Sequence, residues 1–107
     1  MAPKSSKSGD GAKVIVENVN VPGYTHAVDA EHYEGMKKVL LKILPKEGPG
    51  LTQTEMWAAA AKVADKTLFP DRGKVGWWMK SVQLDLEAKA VIVRDKEAKP
   101  LRWRRVT

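Results

Sequence analysis

The sequence predicts a single α+β domain in which three helices lead into a two-stranded β-hairpin. Three observations support that class. Apolar residues recur at helical spacing over about 30–44, 53–65 and 72–89. Two short stretches follow, 91–94 rich in β-branched residues and 101–106 alternating apolar with basic, which is strand patterning. The length of 107 residues, with 43% hydrophobic and 30% charged, suits one globular core of modest size.

Residues 1–13 (MAPKSSKSGDGAK) are polar and rich in Gly, Ser and Lys. They bury too little to offset the entropy of ordering, so a disordered basic tail is expected, serving as a solubilising leader or as an arm that touches phosphates. Its lysines have no apolar stretch behind them, so a secretory signal is not expected. Residues 14–28 begin VIVENVNVPGY, too apolar for a free tail. They read as an extended apolar arm, with Val14 and Val16 on one parity, Ile15, Val19 and Val21 on the other, and Pro22-Gly23 as a turn.

The domain proper is expected over 29–107. Asp29 suits the N-cap of the first helix, whose buried stripe is Tyr33, Met36, Leu40, Ile43 and Leu44. Gly35 costs helix stability and signals close packing. Pro45 and Gly48-Pro49-Gly50 end the helix. Thr52-Gln53-Thr54-Glu55 is a capping box for the second helix, with Met56, Trp57, Ala60, Val63 and Ala64 expected inside. Leu68 and Phe69 should plug the corner before the third helix.

The third helix opens at Asp71 after Pro70. Val75, Trp78, Met79, Val82 and Leu86 form its core face. Trp77, Ser81, Leu84 and Ala88 fall on nearly the opposite side, so the helix has a second apolar strip that needs a cover. The arm, through Val14 and Val16, is the nearest unassigned apolar material. It is expected to cover Trp77, Leu84 and Ala88 in its own chain or in a twofold-related copy.

Composition narrows function. Net charge is +6, which favours an anionic partner. The sequence contains no cysteine, which excludes disulfides, thiol catalysis and cysteine-ligated metals. No apolar run approaches the roughly 18 residues of a membrane helix, so a cytoplasmic protein without a membrane partner is expected. His26 and His32 are the only histidines. Neither has a nucleophile motif beside it, and His32 reads as a surface residue of the first helix. Neither an enzyme, a cofactor nor a metal centre is expected.

Basic residues do gather. Between Arg94 and Arg105 stand Arg94, Lys96, Lys99, Arg102, Arg104 and Arg105, against only Asp95 and Glu97. Together with Lys74, Lys80, Ser81 and Gln83 on the third helix they form a candidate nucleic-acid-binding set, the cations for phosphates and the polar pair for bases. Arginines on an exposed edge strand equally serve to block sheet-to-sheet aggregation.

The run LEAKAVIVRDKEAKPLRWRRV looks like the end of a winged helix-turn-helix domain's third helix passing into its wing. The resemblance covers roughly residues 29–107. Through GWWMKSVQLDLEAKAVI the chain also resembles a family of short, uncharacterised bacterial winged-helix proteins. The superfamily resemblance implies binding of double-stranded DNA, in a regulator or chromosome-associated role, with wing arginines on the backbone. Winged-helix domains also serve as protein-interaction or homodimerisation modules, which is the alternative. The sequence departs from the pattern twice: the connection 65–70 is longer than a strict helix-turn-helix turn, and Trp77 and Leu84 stand where a DNA reader shows polar side chains.

Overall fold

A computed structural model describes residues 12–71 and 73–106. The expected tail lies outside them except for Ala12 and Lys13, and Lys13 already belongs to a strand. The architecture is α+β, with three helices and two small antiparallel sheets.

The expected arm is a hairpin. β1 (Lys13–Glu17) pairs antiparallel with β2 (Thr25–Asp29), with Val14 opposite Val28 and Val16 opposite His26. Alternation puts Val16 and Val28 inward, where both are buried, and leaves Ile15 on the outer face, exposed. The turn that joins the strands carries Gly23 at φ 90°, which glycine adopts without a Cβ clash.

α1 (Ala30–Ile43) starts where Asp29 accepts the His32 backbone N–H at 3.0 Å. Tyr33, Met36, Val39 and Leu40 face the core, joined by Leu44 just past the helix end. Gly35 does allow close approach: the Leu68 side chain occupies the space a β-carbon would take. Phe69 is buried at the same corner.

β3 (Leu51–Thr52) is too short for periodicity to reveal. It pairs with β5 (Arg102–Arg105), which also pairs with β4 (Ile92–Asp95), giving the order β3-β5-β4. Gly50 makes that join, at φ +80°, where a β-carbon would fall on the Trp103 carbonyl. α2 (Gln53–Val63) begins with both halves of the capping box formed. Thr52 Oγ1 accepts from the Glu55 N–H at 3.2 Å, and Glu55 Oε1 accepts from the Thr52 N–H at 2.9 Å.

α3 (Gly73–Ala88) crosses the other two helices and buries Val75, Met79, Val82 and Leu86. It ends in a Schellman motif: Ala90 N–H donates to the Glu87 carbonyl at 3.1 Å and Val91 N–H to the Leu86 carbonyl at 2.9 Å. The left-handed position that this motif needs is filled by an alanine, Ala90 at φ 61°. Ile92 and Trp103 close the core from the sheet.

Two tryptophans differ from expectation. Trp57 is not core; it is 47% exposed, because Met56, Ala60 and Ala64 already supply a complete i, i+4 stripe on α2. Trp78 is only half-buried, at the margin between α1 and the 65–71 connection. No helix among the described residues is long and apolar enough to cross a membrane.

Candidate functional site

The inward side of α3 uses its polar residues for structure. Asp85 is wholly buried. Its carboxylate accepts from the Tyr33 hydroxyl at 2.5 Å, from the Glu17 backbone N–H at 2.9 Å, and from Lys89 Nζ at 2.6 and 2.8 Å. One side chain thereby ties β1, α1 and the end of α3 together, and a buried carboxylate with this many donors is fully satisfied. Burial, then the hydrogen bond to Asp85 and its charge, push the Tyr33 phenol far above its ordinary range. Gln83 is also wholly buried, and it exchanges amide hydrogen bonds with Gln53 of α2 at 3.1 and 3.2 Å. The expectation that Gln83 contacts a base is therefore corrected, since its amide faces inward and both its oxygen and nitrogen are engaged.

The outward side differs. Lys74, Trp77 and Lys80 are exposed, Ser81 and Leu84 are half-buried, and Ala88 is exposed. Trp77 keeps 54% of its surface open. Of the two placements expected for the arm, in its own chain or in a twofold-related copy, the first is not seen: the hairpin leaves this strip uncovered within the chain. β1 meets α3 at Asp85 instead, about 80° around the helix from Trp77. Of the expected interface residues, Val16 lies in the chain's own core and Val14 is half-buried against it. α3 contains two acids, Asp85 and Glu87. Asp85 is buried, and Glu87, its side chain 5% exposed, is bonded to Arg94. The outward face of α3 thus carries lysines and no acid of its own.

The cations of the β4–β5 hairpin divide into two groups. Arg94 donates to Glu87 from Nε at 2.9 Å and from Nη2 at 3.3 Å, and its guanidinium lies 5.5 Å from the Trp103 ring centroid. Arg102 donates from Nη1 to the Gly50 carbonyl at 3.0 Å and to Glu55 at 3.3 Å. Arg105 donates from Nε to the Leu44 carbonyl at 3.0 Å. These three brace the sheet against the helices, and their fork geometry suits that work. Lys96, Lys99 and Arg104 are exposed. The candidate cationic set is accordingly Lys74, Lys80, Lys96, Lys99 and Arg104, narrower than the sequence suggests.

An aromatic ladder supports Trp77. Its ring meets Trp78 edge-on, with centroids 4.9 Å apart at 88°. Trp78 stacks on His32 at 5.2 Å and 16°, and His32 meets Phe69 edge-on at 5.4 Å. His32 Nδ1 lies 2.5 Å from the Asp29 carboxylate. Burial raises the Asp29 carboxyl, but the hydrogen bonds from the His32 ring and backbone outweigh it, with the charges of His32 and Lys13 adding, and hold it below the usual range. Against an ionised carboxylate, Nδ1 carries the proton. His32 is thus a rung of this ladder rather than the free surface residue that its helical position implies. Its partners lie far along the chain, so no local signal reveals them.

Trp57 also packs on α3. Its indole rests on α3 at Gly76, where a β-carbon would lie 2.8 Å from its Nε1. A shallow hollow here is lined by Gln53, Thr54, Trp57, Gly76, Met79 and Lys80. Among the described residues, no group of three or more His, Asp or Glu is placed to hold a metal ion.

Residues 13–103 match the model of a family of unknown function, DUF6958, and the chain belongs to that family. No curated protein and no solved structure matches it.

Proposed function

We propose that this chain is a winged-helix, nucleic-acid-binding protein that contacts phosphates through the outward face of α3 and the tip of its β4–β5 wing. The order α1, β3, α2, α3, β4, β5 supports the winged-helix reading, with a short strand after the first helix that completes a three-stranded sheet with the hairpin. The observation that carries the functional reading is the charge of α3. Its acids are consumed within the fold, while Lys74 and Lys80 are exposed and make no ion pair among the described residues. Lys96, Lys99 and Arg104 extend the cationic surface along the wing. Such charges bind phosphate backbones with little regard to sequence, and the side chains beside them offer few base-reading groups once Gln83 is internal.

Fluorescence anisotropy with a mixed-sequence nucleic acid at about 50 mM salt tests this reading. Binding should fall steeply with added salt. Lys74→Ala with Lys80→Ala should flatten the log–log slope by about 0.7–0.9 for each phosphate that the variant no longer neutralises. Absence of binding at that salt overturns the reading. A second reading, a homodimerisation module, is favoured by one observation: Ile15, Val21 and Tyr24 of the hairpin are all about half exposed. Sedimentation of the free chain as a stable dimer would support it.

A further inference from the structure

Resting on the phosphate-binding reading, the aromatic content of the site points to the form of nucleic acid it takes. We propose that the α2–α3 surface binds single-stranded nucleic acid, with unpaired bases stacked on the indoles of Trp77 and Trp57 and phosphates against Lys74 and Lys80.

Both indoles are open and both are held. Trp77 is 54% exposed, yet Trp78 meets its ring at right angles and is backed in turn by His32 and Phe69, and Asp29 fixes His32. Trp57 is 47% exposed and lies on the α3 backbone at Gly76, the residue next to Trp77. A side chain at position 76 would occupy the place of the Trp57 ring. Two open indoles thus lie on one pair of packed helices, Trp57 against Gly76 and Trp77 one residue on, about 100° further around α3, with Lys80 lining the hollow beside Trp57; neither indole closes the core. A platform already held in place loses little freedom when a planar ligand stacks on it.

The chemistry of that surface favours an unpaired base over a duplex. The edges in a major groove call for hydrogen-bond donors and acceptors, whereas this face leads with two open indoles, Leu84 and lysines, and its polar groups, Ser81 and Thr54, are short hydroxyls. An unpaired base offers a flat π-face whatever its identity, and basic residues interleaved with aromatics are how sequence-tolerant single-strand sites are built. The same charges disfavour a second copy of the chain as occupant. Twofold pairing of this face would bring Lys74 and Lys80 toward their own equivalents, with no acid on the outward face of α3 to offset them.

The experiment compares a labelled short oligothymidylate with a mixed-sequence duplex of equal length, by anisotropy on the full chain at low salt. The single strand should bind at least about fivefold more tightly, and Trp77→Ala should weaken it roughly five- to a hundredfold while barely changing the duplex. Trp77→Phe, which keeps an aromatic face, should retain most of the affinity. Thermal melting of each variant monitors folding, and Trp77 is exposed enough for the fold to survive its loss. Equal affinity for strand and duplex, or a Trp77→Ala protein that binds the strand like wild type, overturns base stacking and leaves the phosphate reading standing. Binding of neither nucleic acid removes both.

Discussion

The two sides of α3 put similar residue types to opposite uses. On the inward side, Asp85 and Gln83 are polar residues with no exposure, and every hydrogen bond their side chains make crosses to another element or closes the helix end. On the outward side, Trp77 is a large apolar residue left more than half open, flanked by exposed lysines. Position on the helix, rather than polarity, separates the residues that hold the fold from those free to meet a partner. The inward polar residues should therefore matter to stability, and the outward apolar and basic ones to binding.

The largest effect should come from Asp85→Ala. It leaves the buried Tyr33 hydroxyl and the Glu17 N–H without their acceptor and should cost about 2–4 kcal/mol, read as a lowered urea midpoint. An unchanged midpoint would break the assignment of the inward side to structure. Tyr33→Phe should cost less, about 1–2 kcal/mol at neutral pH. It also has a pH signature. Burial and Asp85 keep the folded phenol protonated beyond the pH at which the unfolded chain ionises. The stability linked to Tyr33 is therefore whole below about pH 10 and declines as pH rises past it. The Phe variant should lack that part of the alkaline decline; a variant that tracks wild type through the same range would contradict it.

A smaller change sharpens the comparison at the end of the helix. Ala90→Gly should stabilise the chain by about 0.5–1 kcal/mol, because glycine takes φ 61° without the Cβ clash that alanine suffers. A calorimetric midpoint no higher than that of wild type would count against it. The smallest stability effect belongs to the lysines of the outward face. Lys74→Ala with Lys80→Ala should leave stability within about 0.5 kcal/mol of wild type, as surface substitutions generally do, whereas Trp77→Ala, which also loses the edge-on contact with Trp78, should cost about 0.5–1.5 kcal/mol.

What the sequence reveals and what it hides follow one physical line. Periodicity locates all three helices, because each buries a regular stripe, while the β-branched run at β4 and the apolar–basic alternation at β5 mark the hairpin. The capping box at Thr52 and Glu55 is legible because it is wholly local. Partners distant in sequence are not legible. Gln83 reads as a polar residue free for a base until Gln53, thirty positions away, is placed against it. Asp85 attracts no notice until Tyr33 and β1 converge on it. β2 escapes notice because THAVD has neither a β-branched run nor a clean apolar–polar alternation, and only Val28 of it is buried. β3 is two residues long, and only the close approach at Gly50 marks it. At the candidate site, the open face of Trp77 is visible in the sequence as a strip in need of a cover. The rest requires the fold: Trp57 on Gly76, the ladder that meets Trp77, and the arginines already engaged in bracing the sheet.

The most direct test of the division between the two faces is one paired measurement on Lys74→Ala/Lys80→Ala. Its thermal midpoint and its affinity for nucleic acid at about 50 mM salt would be compared with those of wild type. The expected result is an unchanged midpoint with binding much weakened and a shallower salt dependence. A lowered midpoint with undiminished affinity would contradict it, placing those lysines in the structure and the partner elsewhere.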